Sequence, residues 1–334
     1  MNYHYKINYK PEIDSLRAIA VLSVVFFHFN FNFANGGYIG VDIFFVISGY
    51  LITSIILKDL RNNHFNFFKF INSRVRRLLP LLSIICFFTI SIGIFIIPAN
   101  ELGDLSMATL SALTYWSNFY LEYTNNYFDK SSEFSPLLHT WSLSVEEQFY
   151  IIFPIIIYLF YKIRKNSIKY LVISGTIISF LIMQFGGNLK FQYPYYEKDF
   201  LFFTNSEFNK FMLPYGRVWE LGVGSSLAFF IKDKKNFENI KLNNFLIFLC
   251  LVIILLSIFF LSKSIPYPSF FTLLPVISTA VLIFFLNKKN RFKFIFCNKF
   301  LVQIGLISLL GQLIKYIIER YNVTITSQNK IYFI

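Results

Sequence analysis

The composition of this chain of 334 residues excludes a soluble enzyme. Of its residues, 55% are hydrophobic, 20% are aromatic and only 15% are charged, whereas soluble globular proteins carry about 25% charged residues. The same figures exclude a disordered or fibrous protein. A bilayer span needs roughly 20 mostly apolar residues, so the apolar content is enough for about nine full spans. The composition therefore predicts an all-α fold, a polytopic transmembrane helical bundle.

The net charge of +13 would suit a nucleic-acid-binding protein, but the positions of the cations argue against one. Lys and Arg are concentrated in short connections between apolar runs, which is typical of cytoplasmic loops of membrane proteins. Cys86, Cys250 and Cys297 have neither the short spacing of a metal site nor a paired framework. We therefore expect no nucleic acid, no metal and no disulfide.

Nine apolar runs are long enough to be full spans. The first, 16–33, is longer than the core of a signal peptide and contains Arg17 and His28, so we interpret it as a retained first span. The other runs lie at 40–57, 78–97, 140–160, 168–185, 213–231, 243–261, 269–286 and 300–318.

The charges of the connections predict the orientation of the bundle. Four connections are rich in Lys and Arg and are cytoplasmic by the positive-inside rule; they are 58–77, 162–169, 232–241 and 288–299. The connections 98–138 and 187–212 carry mainly Asp and Glu and belong outside. The amino terminus is then cytoplasmic.

The apolar stretch 104–121 does not fit this count as a full span. Counting it would place three of the basic connections outside. We therefore predict that it enters the membrane only partly, as a partial or re-entrant segment, or packs inside the bundle, with both ends on the outer side. Such a backbone needs protein or a watery cavity around it. Side chains suited to line a cavity are those of Ser106, Thr109, Ser111, Thr114 and Asn118.

Ionisable residues inside a span are expensive and therefore indicate function. In the first span, Asp14 and Arg17 are three residues apart and can pair on one helix face. His28 lies on nearly the same face, about 16 Å further along the helix. Arg17 can also be interpreted as a side chain that extends to the interface, whereas His28 lies among phenylalanines and is the stronger functional candidate.

A second polar group enters the span that begins near residue 140. His139, Ser142 and Glu146 have helical spacing and would share one face, with Glu147 and Tyr150 on an adjoining face. Two adjacent carboxylates in a span need partners or protonation. One of them can equally belong to a helix start that pairs with cations of other helices.

A third group contains Arg217, Trp219 and Glu220, followed by small residues at 222–226. Arg217 and Glu220 add intramembrane charges of both signs, so a buried network is one interpretation. The small residues would allow two helices to pack closely.

A fourth group, within 72–80, contains Arg74, Arg76 and Arg77. These arginines either mark an ordinary cytoplasmic connection or form a phosphate-binding surface. The second interpretation rests on the guanidinium group, which binds phosphate oxygens in a bidentate manner.

These motifs resemble the acyltransferase-3 family of bacterial membrane O-acyltransferases, which transfer acetyl or other acyl groups to cell-surface glycans. The resemblance extends from residue 9 to about residue 308. The segments that carry it are 11–20 with His28, 36–53, 74–80, 127–129, 135–150 and 216–220.

The resemblance implies a multi-pass enzyme of the bacterial cytoplasmic (inner) membrane. Its acyl donor would be cytoplasmic acetyl-CoA, acting as a co-substrate, and its acceptor a hydroxyl of a surface polysaccharide, a lipopolysaccharide or a lipid-linked sugar. Arg74, Arg76 and Arg77 would bind the coenzyme phosphates.

The resemblance also implies catalytic roles for several side chains. His28 would act as the general base or carry the acyl group, and Arg17 would orient or stabilise the reacting thioester. Glu146 and Glu147 would position His139 or the sugar. Supporting positions are Asp14, Asp42, Ser48, Arg217, Trp219 and Glu220.

Two other functions are compatible with the sequence. A transporter or flippase would have the same topology and an intramembrane charge network, but it would not need the arginine cluster. An inactive, truncated acyltransferase is the other. The late family pattern begins at 303–308 and then breaks off, so we expect a membrane domain at 1–308 and a divergent tail at 309–334, produced by a frameshift or present in a genuine short variant.

Overall fold

All regular elements of the described residues are helices, which confirms the all-α fold class for that part of the chain. The computed structural model describes residues 9–29, 31–99, 101–124, 137–185, 211–231, 239–262, 265, 267–286 and 290–305. The helices are α1 (Pro11–His28), α2 (Gly40–Arg61), α3 (Phe67–Ile96), α4 (Leu102–Leu113), α5 (Ser117–Thr124), α6 (Thr140–Arg164), α7 (Ile168–Phe185), α8 (Pro214–Phe230), α9 (Ile240–Phe260), α10 (Leu273–Leu286) and α11 (Lys293–Phe296).

Four helical segments of the described chain are long and apolar enough to cross a membrane: Gly37–Arg61, Phe67–Phe95, Thr140–Phe185 and Ile240–Phe260. The first eight predicted spans each coincide with a helix, but α8 and α10 have only 17 and 14 residues. The count of nine full spans is therefore not established. The ninth predicted span is helical over 299–305, and the rest of it lies outside the described residues. Residues 125–136 and 187–210 of the predicted outer connections also lie outside the described residues, as does the tail 309–334.

Large apolar side chains cover much of the outer surface of these helices. Exposed examples occur on α3, α6, α7 and α9, among them Phe87, Phe95, Ile152, Ile178 and Phe260. Apolar surface on this scale is unfavourable in water and is expected where helices face lipid. The chain is thus a multi-pass helical membrane protein.

The fold divides into two compact units that are interleaved along the sequence. The first contains Met1–Phe65, Ile157–Phe180 and Val218–Leu309, and the second contains Asn66–Ile156, Leu181–Arg217 and Leu310–Ile334. In the first unit, α2 packs against both α1 and α10, and α10 packs against α9.

Small residues allow α8 and α2 to touch through their backbones in the first unit. A Cβ atom at Gly49 would collide with the carbonyl oxygen of Leu221, and one at Gly224 would collide with the carbonyl oxygen of Val46. Ser225 Oγ donates a hydrogen bond to the carbonyl of Gly49, 3.3 Å away. The predicted close packing at 222–226 is confirmed.

Helix α1 is displaced toward the amino terminus relative to the predicted run 16–33. It begins at Pro11, whose fixed φ suits the first position of a helix, and it ends at His28. The following residues, rich in Asn and Gly, favour turns. His28 therefore lies at the end of a helix and not within the middle of a span.

The predicted basic connection 58–77 is helical over most of its length, because α2 continues to Arg61 and α3 begins at Phe67. Asn66 caps α3, since its side chain accepts a hydrogen bond from the backbone N–H of Lys69 at 3.0 Å. The three arginines of this region consequently lie on a helix.

In the second unit, α4 runs antiparallel to α3. Gly93 lies against the side chain of Leu105, whereas Leu82 packs in one cluster with Ala112. The chain then breaks at Tyr115, whose φ is +58°, and α5 turns back: the hydroxyl of Tyr120 donates to the carbonyl of Asp104 at 3.2 Å. The stretch 104–121 is thus a helical hairpin and not one spanning helix.

Four of the five predicted cavity-lining side chains donate to carbonyls of their own helix. Thr109, for example, donates to Leu105 at 2.8 Å; Ser106, Ser111 and Thr114 do the same. Asn118 instead pairs with Gln148 of α6. Lining of a cavity by these residues stays a prediction.

We expect an impermeant thiol reagent to label both ends of the α4–α5 hairpin from one side of the membrane. The experiment uses Leu102→Cys and Asn126→Cys, each in a background in which the three native cysteines are alanine, with labelling measured on intact cells and on inverted vesicles. A hairpin returns to the surface from which it started, so both positions react from the same side. Labelling of the two positions from opposite sides would restore a full span.

Candidate active site

The polar face of α1 carries the first group of candidate catalytic residues. Arg17 Nη1 lies 3.2 Å from Asp14 Oδ1, so the predicted pairing is confirmed. The carboxylate is nearly buried and the guanidinium is about one-fifth exposed, at 8% and 18% of their side-chain surfaces. Asp14 thereby holds Arg17 in place while leaving part of it accessible.

His28 occupies the last position of α1 and is half-buried. Its ring packs edge-on against Phe27, with the ring centroids 5.4 Å apart. Phe27 in turn packs against Tyr38 at 5.3 Å. The His28 ring is therefore held on one side by Phe27, which is itself held by Tyr38.

The aromatic pair Phe27 and Tyr38 is connected to a buried carboxylate. Tyr38 packs against Tyr267 at 4.7 Å, and the Tyr267 hydroxyl donates a hydrogen bond to Asp42. Asp42 is fully buried in the first turn of α2. The sequence motif identified Asp42, but Tyr267 was missed because it is 225 residues away along the chain.

The other supporting positions of the first unit lie in helix interfaces. Ser48 on α2 and Trp219 and Glu220 on α8 are all buried. The Trp219 ring packs edge-on against Phe180 of α7 at 5.0 Å. The contact with Phe180 gives Trp219 a role in packing α8 against α7, whereas the roles of Ser48 and Glu220 stay predictions.

In the second unit, Arg74 and Arg77 lie near the buried carboxylate of Glu147. The buried positions Phe70, Leu78, Leu82 and Cys86 of α3 follow a four-residue spacing, and Arg74 falls in the same row, which faces the interior. Glu147, only 4% exposed, interacts electrostatically with both Arg74 and Arg77.

Arg76 differs from the other two arginines of its motif. Arg76 and Arg77 are both exposed and Arg74 is half-buried, but Arg76 alone lies about 200° around the helix from Arg74. The structure therefore groups two of the three predicted phosphate ligands, Arg74 and Arg77, and separates Arg76 from Arg74.

Glu146 and Glu147 have different surroundings. The hydroxyl of Tyr150 donates to Glu146 Oε2 at 2.9 Å, because residues four positions apart lie on one helix face. The sequence placed Tyr150 on the face that adjoins Glu146, and the structure pairs the two side chains. The neighbours of Glu147 include Arg74, Arg77 and Tyr115.

The tip of the α4–α5 hairpin is hydrogen-bonded to α6 next to Glu147. Gln148 Nε2 donates to the carbonyl oxygen of Tyr115 at 2.8 Å and to Asn118 Oδ1 at 2.9 Å. Ser117 and Ser144 exchange a further hydrogen bond of 2.7 Å. Burial and the charge of Glu147 raise the pKa of Tyr115 to about 12, so its hydroxyl is protonated at neutral pH.

His139 lies in the turn that precedes α6, so of the predicted helical face only Ser142 and Glu146 are on the helix. Ser142 Oγ instead donates to the backbone carbonyl of His139 at 3.2 Å. Burial of the two ring nitrogens lowers the pKa of His139 to about 4. The imidazole is therefore neutral at physiological pH.

Arg217 is fully buried. Its Nε donates to the carbonyl of Phe211 at 2.8 Å, and its guanidinium lies 4.3 Å from the Phe211 ring centroid and 5.5 Å from that of Trp141. Glu122 supplies an opposite charge nearby. Arg217 therefore holds the segment before α8 against α6.

We expect Glu122 to make the stability of the protein depend on pH. Burial raises the pKa of Glu122 to about 7, against an ordinary value of 4.5, although the Met212 N–H and the charge of Arg217 oppose the shift. The folded state then binds the proton more tightly than the unfolded state, so the free energy of unfolding falls as the pH rises from about 4.5 to about 7.

Thermal unfolding in detergent across this pH range measures the effect. Glu122→Gln should flatten the decline in Tm, whereas Glu101→Gln, which changes an exposed carboxylate, should leave it unchanged. Equal slopes for wild type and Glu122→Gln would contradict the prediction.

Both units thus place charged and polar side chains inside a helical membrane protein, a class in which such residues usually bind or convert a substrate. The chain belongs to the acyltransferase-3 family, whose acyltransferase domain model matches residues 10–317.

Curated relatives of this chain include cell-wall acetyltransferases. It is 42% identical over 164 residues to the peptidoglycan O-acetyltransferase OatA of Listeria monocytogenes, covering 48% of this chain and 26% of OatA. It is 41% identical over 188 residues to YrhL of Bacillus subtilis, provisionally named a peptidoglycan O-acetyltransferase, covering 54% of this chain and 30% of YrhL.

A provisionally named O-acetyltransferase of Staphylococcus aureus is 40% identical over 184 residues, which is 54% of this chain and 30% of that protein. The matched part of this chain spans less than a third of the length of each of these relatives. No solved structure matches the chain.

Proposed function

We propose that the chain transfers an acetyl group from an activated thioester to a hydroxyl of a cell-surface glycan, with peptidoglycan as the first acceptor to test. The observation that carries this proposal is the polar face of α1, where Arg17 is paired with Asp14 and His28 is half-buried at the helix end. Membership of an acyltransferase family and likeness to peptidoglycan O-acetyltransferases support it.

His28 is the general base of the proposed reaction. A neutral imidazole accepts the acceptor's hydroxyl proton near pH 7, the hydroxyl oxygen bonds to the thioester carbon, and the carbon–sulfur bond breaks. The imidazolium then returns the proton to the departing thiolate, so the products are an acetyl ester and a free thiol. The carbonyl end of α1 stabilises the transient positive charge on His28.

An acyl-enzyme route uses the same residue. In that route an imidazole nitrogen of His28 attacks the thioester carbon, the carbon–sulfur bond breaks and the thiol leaves. The acceptor hydroxyl then attacks the acetyl-imidazole, which forms the ester, and its proton passes to the freed imidazole. In either route Arg17 stabilises the negative charge that develops on the thioester oxygen.

Arg74 and Arg77 are the proposed phosphate ligands of the donor. Both lie on one side of α3, and guanidinium groups bind phosphate oxygens through paired hydrogen bonds. Acetyl-CoA is the donor with this chemistry that we propose to test first, against acetyl phosphopantetheine and acetyl phosphate as comparison donors.

Expression of the chain in cells that lack cell-wall O-acetylation tests the function. We expect alkali-labile acetate on purified peptidoglycan in cells that make the wild-type chain, and none with the empty vector. Full expression and membrane insertion without any ester-linked acetate on a surface glycan, together with solute uptake by vesicles containing the protein, would replace the proposal with a transporter.

A further inference from the structure

Two buried polar atoms beside Arg74 and Arg77 have no hydrogen-bond partner among the residues that the structure describes: Glu147 Oε1 and the phenolic oxygen of Tyr115. The Glu147 side chain belongs to a residue that is 96% buried, being only 4% exposed. Leaving a buried polar atom unsatisfied costs about 1–3 kcal/mol, and more for a charged group. Such a cost at two neighbouring positions indicates that a ligand supplies the missing partners.

The two side chains are held in place by the surrounding structure. Gln148, the residue after Glu147, bonds to the carbonyl of Tyr115 and to Asn118. Tyr115 has a positive φ, which an ordinary side chain rarely adopts. The hairpin tip is thus fixed against α6, close enough for the charge of Glu147 to act on Tyr115.

The chemistry of the four side chains defines the ligand. A carboxylate accepts a hydrogen bond from an N–H or O–H group, and a protonated phenol donates one to a carbonyl or hydroxyl oxygen. Arg74 and Arg77, which also act electrostatically on Glu147, supply donors that suit a phosphate.

We propose that Glu147 and Tyr115 bind an amide or hydroxyl group of a ligand whose phosphate is bound by Arg74 and Arg77. The site rests on the proposed function, which brings a phosphate-bearing substrate to these arginines. Two sources carry this chemistry: the amide-containing arm of a nucleotide thioester, and the sugar of a lipid-linked sugar phosphate.

Equilibrium binding to the purified chain of 334 residues in detergent tests the site without requiring acetyl transfer. The probes are coenzyme A and a short-chain polyprenyl diphosphate N-acetylglucosamine. Glu147→Gln keeps the shape and removes the charge, and Tyr115→Phe removes only the hydroxyl. We expect each change to raise the Kd of one probe about three- to tenfold, since one hydrogen bond to a ligand is weakened or lost.

The double variant should lose less affinity than the product of the two single losses, because both side chains bind the same ligand group. Tyr120→Phe, in the same hairpin, and Glu101→Gln, an exposed carboxylate, are the matched controls and should leave both Kd values unchanged. Tm measured for every variant verifies folding, and Tyr115→Phe decides the question if Glu147→Gln is destabilised.

If the variants bind only coenzyme A more weakly than the wild type does, the site belongs to the donor arm. If they bind only the lipid-linked sugar more weakly, it belongs to the acceptor. Unchanged Kd values for both probes in folded variants, or no binding of either probe by the wild type, would overturn the site. Binding that depends on Tyr115 in a protein without acetyl transfer would keep the site and reject only the proposed function.

Discussion

Replacing His28 by alanine is expected to lower the rate of acetyl transfer by a factor of about 100 to 10,000, the range that a positioned general base contributes. If His28 instead carries the acetyl group, the loss is at least as large, because alanine has no nucleophile that can form the acyl-enzyme. The initial rate is measured with the purified protein in lipid vesicles, supplied with labelled acetyl donor and a soluble glycan.

The effect on folding should be small, because His28 is half-buried at a helix end and contacts Phe27 by ring packing. His64→Ala provides the matched control, since His64 is an exposed histidine in the short connection between α2 and α3. A His28→Ala protein with a wild-type rate would reduce His28 to a packing residue.

Replacing Arg74 or Arg77 by glutamine is expected to raise the KM for the donor about tenfold or more, because each change removes a charged hydrogen bond to phosphate. The effect on kcat should be smaller, since the phosphates of acetyl-CoA are far from its thioester carbon along the molecule. Arg76→Gln should have a weaker effect than either, because Arg76 lies about 200° around α3 from Arg74, whereas Arg74 and Arg77 both act electrostatically on Glu147. Steady-state kinetics with varied donor concentration separate KM from kcat.

Lysine variants refine this test. Arg74→Lys keeps the charge but loses the forked geometry of the guanidinium, so it should recover only part of the donor affinity. Arg61→Gln, which removes an exposed cation at the end of α2, controls for a general loss of positive charge. If Arg74→Gln, Arg77→Gln and Arg74→Lys all gave the same KM as the wild type, Arg74 and Arg77 would be ordinary basic residues of the membrane interface.

The positions of the helices could be predicted from the sequence because hydrophobic runs and charged connections are local signals. The Asp14–Arg17 pair and the small residues at 222–226 were predictable for the same reason, since helical spacing alone brings such side chains together. That 104–121 is not one spanning helix was predicted from charge, because a full span would have placed three basic connections on the wrong side.

The details of the candidate site depend on long-range contacts and could not be predicted. The start of α3 at Phe67 turned a supposed loop into a helix, and this change decides which arginines face Glu147. The break at Tyr115 is stabilised by Gln148, 33 residues later. Asp42 contacts Tyr267, which is 225 residues away along the chain. A polar side chain in an apolar stretch, such as that of Gln148 or Tyr267, indicates that it has a buried partner, but the sequence does not identify that partner.

The central claim, transfer of acetyl to a glycan hydroxyl through His28, is tested most directly by the identity of the product. Purified wild-type and His28→Ala proteins in vesicles are incubated with a donor that carries a ¹³C-labelled acetyl group and with a peptidoglycan fragment, and the glycan is analysed by mass spectrometry before and after mild alkali. We predict an alkali-labile ¹³C-acetyl ester on the glycan with the wild type and none with His28→Ala. A folded wild-type protein that leaves the glycan unlabelled, or a His28→Ala protein that labels it equally, would contradict the account.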